Sequence, residues 1–142
     1  TQANSTHVAS QIFRTQIRFD VEEFWVMALN SNLQVLRLEM IFRGTVDQCP
    51  AHPREILRFL CLQNASSYLI AHSHPSGSPT PSRQDLSVTR QLLKLSKLLG
   101  IQLLDHLILS ESGYCSLAER GFFRKSGSTI LSPKLLEKLE TL

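Results

Sequence analysis

Two histidines stand one residue apart at His72 and His74, and an aspartate follows eleven residues later at Asp85. Residues two apart on an extended strand point to the same side, so the two imidazoles can address one point in space. A carboxylate carried by the start of the next element can close on that point from across a loop. Two imidazole nitrogens and one carboxylate oxygen make a three-ligand zinc set, with the fourth tetrahedral position open to water, as a catalytic rather than a purely structural site requires. The same residues carry a plainer meaning. Ser82 and Asp85 fit the Ser-x-x-acid pattern that caps a helix by exchanging side-chain and main-chain hydrogen bonds. On that reading Asp85 only neutralises free N–H groups at the positive end of a helix dipole. Residue types alone leave both readings open.

The elements around this segment decide whether it can converge. Ser67 to Ala71 is a short apolar run of strand type that leads directly into His72. Residues 75–81 hold three prolines and a glycine and must be loop. Ser82 opens a helix whose apolar stripe is Val88, Leu92, Leu95 and Leu99, and Gly100 ends it. Upstream, Val21 to Leu29 reads as a strand, Asn30-Ser31-Asn32 as a turn, and Leu33 to Phe42 as the return strand of a hairpin. In that return strand Leu36, Leu38, Met40 and Phe42 are expected to share one face. Pro53 sits where a helix begins without cost to its missing N–H, and that helix carries Ile56, Leu57, Leu60 and Cys61. Ile101 to Leu109 and Gly113 to Leu117 read as two further strands. Ser132-Pro133 opens a last short helix with Leu135, Leu136 and Leu139.

The order is β-β-α-β-α-β-β followed by a helical tail. The expected class is α/β: one mixed β-sheet flanked by helices, with a parallel pair formed by the strands before and after the Ser82 helix. Sites in such sheets form where strands end, and His72–His74 stands at such an end. Residues 1–20 are expected to be a loose lead-in, residues 21–121 the working domain and residues 122–142 the tail.

Composition narrows the class of partner. At 142 residues the chain is long enough for one domain with a real core. No stretch approaches the roughly 20 apolar residues of a membrane helix. Cys49, Cys61 and Cys115 are odd in number and far apart, so they make no disulfide framework and fit a reducing cytoplasm. A net charge of +3 permits nucleic-acid contact, but Arg14, Arg18, Arg120, Arg124 and Lys125 are scattered rather than clustered.

Taken together, these stretches resemble a known family. His-Ser-His, seven residues, Ser, two residues and Asp is the JAMM (MPN⁺) metalloprotease pattern, complete at residues 72–85. HSHPSGSPTPSRQD, LLGIQLLDHLIL and GYCSLAERG, with HPREIL and QNASSYLIAH upstream, are similar to the RadC family of bacterial JAB-domain proteins, from about Glu22 to Gly121. The resemblance implies a JAB/MPN architecture, similar to that of cytidine deaminases. It implies zinc held by His72, His74 and Asp85, with Ser82 holding the oxyanion and a glutamate on an earlier strand as general base. The family's Glu-x-Phe selects Glu22 over Glu23; Glu39 is expected to be solvated. The implied activity is metal-assisted hydrolysis of a peptide or isopeptide bond. Asp105 and His106 are candidates for orienting the imidazoles, and since they face opposite sides at most one can do so.

Three other readings stand beside this one. RadC-like proteins are associated with DNA repair, but their upstream helix-hairpin-helix does not fit into residues 1–20, which weakens a DNA-processing role. A deaminase would need His-x-Glu and Cys-x-x-Cys, both missing. A non-catalytic scaffold is the third, and the tail leucines could then form a homodimer surface.

Overall fold

A computed structural model of the chain describes residue 3, residues 5–44 and residues 52–123. Cys49, Arg124, Lys125 and the expected tail helix with Leu135, Leu136 and Leu139 lie outside the described residues. The elements run α1 (Thr6–Arg14), β1 (Glu22–Leu29), β2 (Val35–Gly44), α2 (Pro53–Leu62), β3 (Ser67–Ser73), α3 (Arg83–Leu99), β4 (Gln102–Ser110) and β5 (Gly113–Ser116). The architecture is α/β: a mixed five-stranded sheet in the order β2-β1-β3-β4-β5, flanked by helices. Only β3 and β4 run parallel, and they are the strands joined through α3.

The sheet buries both faces. Phe24, Val26, Ile70 and Ile108 pack against Ile56 and Leu60 of α2 and Val88 and Leu92 of α3. Met27, Leu29, Leu69, Ala71, Leu107 and Leu109 form the opposite core with Ala9 and Phe13 of α1. A strand covered on both sides reads as a continuous apolar run, which is why β3 and β4 are legible in sequence.

Two expectations give way here. The opening segment is not loose. Ser5 caps α1 by accepting the N–H of Val8 at 3.2 Å, and Ala9, Ser10 and Phe13 are buried against the sheet. Ala9, Ile12 and Phe13 recur at helical spacing on that side, but over only nine residues. The second concerns β2. Register shifts between Phe24/Trp25 and between Ala28/Leu29 break its alternation. Leu38 packs with the α1 core, Ile41 and Phe42 with the α2–α3 core, and Leu36 and Met40 stay exposed. A bulge places two residues of one strand opposite one of its neighbour, and this interrupts the period of two.

Candidate metal centre

The parity of β1 and β3 places the site. Phe24 pairs with His72 across the antiparallel β1–β3 ladder, and Glu22, two residues earlier on β1, shares the face of Phe24. That is the α3 face. His72 is within β3 and His74 just beyond it, tied to β4 by its N–H to the Leu109 carbonyl at 2.9 Å. The loop then returns the chain to the N-terminus of α3.

Four side chains meet there. His72 Nδ1 lies 2.6 Å from Asp85 Oδ1, and His72 Nε2 lies 3.1 Å from Glu22 Oε1. His74 Nε2 lies 3.1 Å from Asp85 Oδ2. The imidazole rings are perpendicular, with centroids 5.1 Å apart. Glu22, His72 and His74 each offer a ligand atom, all within 4.8 Å of one another. Asp85 is in direct contact with both imidazoles, so either carboxylate borders a cation placed among these rings.

The helix-cap reading of Asp85 holds, and the same carboxylate also meets both imidazoles. Ser82 Oγ accepts the Asp85 N–H at 3.0 Å, and Asp85 Oδ2 accepts the Ser82 N–H at 2.8 Å, a complete capping box. The cap fixes the carboxylate; the imidazoles use its remaining lone pairs. Because Ser82 Oγ accepts from Asp85, its own hydroxyl proton remains available as a donor.

The electrostatics show what the site lacks. His74 Nδ1–H donates to the Ser78 carbonyl at 3.1 Å, so in the neutral ring the lone pair of Nε2 would face Asp85 Oδ2, acceptor to acceptor. A neutral His72 has one proton to share between two carboxylates. The cluster is short of positive charge, and either extra protons or a metal cation supplies it. Burial alone would depress the His72 pKa, but hydrogen bonds to Asp85 and Glu22 outweigh it and raise the pKa to about 9. Burial would raise Asp85, yet the two imidazoles hold it far below the usual carboxylate range. This donor set, two imidazoles and hard carboxylate oxygens, suits Zn²⁺.

Neither Asp105 nor His106 touches the imidazoles. His106 faces α3, where its Nδ1 meets Thr89 Oγ1 at 2.6 Å, and Thr89 donates to the Asp85 main-chain oxygen at 2.7 Å. Burial pushes His106 down to about 3. Asp105 lies on the other face and binds Thr6, Ser116 and the N–H groups of His106 and Ala118. The orienting partner of His74 is the carbonyl of Ser78, which sequence reasoning missed because any residue type supplies a carbonyl. Glu23 is buried on the α1 face, where it accepts from the Arg18 N–H, Trp25 Nε1 and Arg43. Glu39 is half-exposed beside Arg37.

Against protein families, residues 3–122 match the model described as RadC-like JAB domain. The chain belongs to this family. Curated relatives of the RadC-like JAB chain include a UPF0758 protein of Enterococcus faecalis (strain ATCC 700802 / V583), 40% identical over 120 residues, which covers 84% of this chain and 52% of the relative. The UPF0758 protein YsxA of Bacillus subtilis (strain 168) is 40% identical over 107 residues, 75% of this chain and 46% of the relative. A UPF0758 protein of Bacillus pumilus (strain SAFR-032) is 44% identical over 101 residues, 71% and 45%. The chain thus spans about half the length of these relatives. Among the described residues no helix is long and apolar enough to cross a membrane.

Proposed function

We propose that this domain is a zinc-dependent hydrolase of the JAMM type that cleaves a peptide or isopeptide bond. The observation that supports the reading is convergence: Glu22, His72 and His74 each offer a ligand atom within 4.8 Å of the others, and Asp85 is in contact with both imidazoles. His72, His74 and Asp85 would hold the metal, with Glu22 as the remaining carboxylate. When bound, zinc supplies a Lewis acid that acidifies water and polarises a carbonyl.

The chain's own groups do the rest. Glu22 takes a proton from the attacking water at Oε1 or Oε2 and returns it to the departing amine, acting as base and then acid. It stands at the first residue of β1 and is largely buried, with 9% of its surface exposed. The Ser82 hydroxyl donates to the oxygen that becomes negative as the amide carbonyl is attacked; one such donor is typically worth about 2.7–4 kcal/mol of barrier. Asp85, pinned by the cap, and His74, pinned by Ser78, hold their atoms without rearrangement.

The test has two arms. Protein stripped of metal and reloaded should retain one zinc, and a panel of peptide and isopeptide conjugates should reveal turnover that Glu22→Gln abolishes while keeping the metal. If Glu22→Gln loses the zinc and Asp85→Asn keeps it, the two carboxylates exchange roles. If the reloaded wild-type protein holds no metal, the proposal fails.

A further inference from the structure

The two edges of the sheet differ. β5 is four residues long, whereas β2 is ten, with β1 on one side and, among the described residues, no strand on the other. A long open edge presents unpaired N–H and C=O groups to any strand that matches it. In β2 the register shifts at its two ends leave Arg37 to Met40 as a regular stretch, paired in unbroken order with Ala28 to Trp25. The side chains around it are unusual for an edge that has been made safe: Leu36 is 42% exposed and Met40 36%. The only charges in the stretch are Arg37 and Glu39, one on each side of Leu38, on the same face and 4.0 Å apart.

We propose that a second copy of this chain pairs with β2, antiparallel, about a two-fold axis through Leu38. The sequence around Leu38 is complementary to itself in that register. Arg37 falls opposite the partner's Glu39, and Glu39 opposite the partner's Arg37, giving two cross-strand ion pairs. A shift of one residue in either direction loses the charge match, so the charges also select the register. Such a contact is isologous and closes at two copies. The pairing does not depend on the hydrolase reading.

Sedimentation velocity over a range of concentrations tests it. Wild-type protein should move toward the mass of two chains as concentration rises. Arg37→Glu alone and Glu39→Arg alone place like charges opposite each other, and each should remain a monomer with an unchanged circular dichroism spectrum. Mixed in equal amounts, these two variants restore opposite charges across the axis and should form dimers again. Amide exchange at residues 37–40 should slow with concentration in wild type and in the mixture only. A wild type that stays monomeric overturns the proposal. So does a dimer that survives in both single variants, since it must use another surface, such as residues 124–142. A mixture that stays monomeric while wild type dimerises also overturns it.

Discussion

The two faces of the sheet treat their buried carboxylates in opposite ways. On the α1 face Glu23 accepts from a main-chain N–H, an indole N–H and a guanidinium, and Asp105 from two N–H groups and two hydroxyls. Every hydrogen-bond partner there is a donor, although burial still raises the Asp105 pKa to about 6. On the α3 face Glu22 and Asp85 meet imidazole nitrogens, which can be acceptors themselves. The first arrangement holds a fold together and asks for nothing more. The second balances its carboxylates with positive charge, from an imidazolium or from a cation among the rings. Adjacent residues of β1, Glu22 and Glu23, thus fall on the two sides of this division because strand parity sends them to opposite faces.

Exchanging that pair gives the largest expected contrast. Glu22→Gln should lower turnover by about 10²–10⁴-fold, the usual scale of a lost general base, with the melting temperature nearly unchanged. Glu23→Gln should do the reverse. Its amide can no longer accept from all of Arg18, Trp25 and Arg43, and the loss should be about 2–3 kcal/mol of stability in urea unfolding, with activity per folded molecule retained. Equal effects of the two changes on turnover would break the comparison.

The charge deficit also makes the α3 face sensitive to pH. His72 is raised from 6.5 to about 9 in the folded, metal-free protein. A group raised in this way contributes stability that is fully present below pH 6.5 and is lost as pH climbs through 9. The metal-free protein should therefore lose on the order of 3 kcal/mol between pH 6.5 and 9.5, read from unfolding in a chelator. With zinc bound the proton is displaced, so the loaded protein should lack this decline and bind metal more tightly as pH rises. A metal-free protein of constant stability across that range would remove the deficit from the argument.

Much of this was legible in the sequence, for physical reasons that can be named. β3, α3 and β4 follow from apolar runs and periods, although Leu99, expected on the α3 stripe, is exposed while Thr89, Leu93 and Ser96 are buried; the Glu22/Glu23 division follows from parity against Phe24. α1 is hard to read because Ala9, Ile12 and Phe13 give a helical pattern only nine residues long. The faces of β2 were misread because two register shifts interrupt its alternation. At the site, residue types pointed to His72, His74 and Asp85, but not to what orients them. The Ser78 carbonyl is a main-chain group. Thr89 is an ordinary helix residue until α3 is laid on β4 and it meets His106.

On the closed face, Asp105→Asn provides a middle-sized effect. The amide keeps one oxygen for the N–H groups of His106 and Ala118 but turns N–H toward the hydroxyls of Thr6 and Ser116. About 1.5–3 kcal/mol should be lost, since hydrogen bonds to a charged acceptor are replaced by neutral or opposed ones. Zinc content should not change, because none of these contacts reaches His72 or His74.

The smallest effect tests how far the site extends into the core. Thr89 Oγ1 gives its proton to the Asp85 main-chain oxygen, so it must accept from His106, and His106 carries its proton on Nδ1. Among the described residues, His106 Nε2 is buried with no partner. Thr89→Val keeps the shape of the side chain and removes the only acceptor available to that imidazole; moving the proton to Nε2 finds none either. The cost should be about 1–2 kcal/mol in urea unfolding, the penalty of one buried donor left unmet, and Thr89→Ser should recover most of it. Zinc affinity should stay within a few-fold of wild type, because the Asp85 carboxylate is held by the Ser82 N–H and not by Thr89. A zinc affinity that falls 10–100-fold in Thr89→Val, the range seen when groups supporting a ligand are removed, would instead make His106 and Thr89 part of the metal centre and move the boundary between the two kinds of network one layer deeper into the fold.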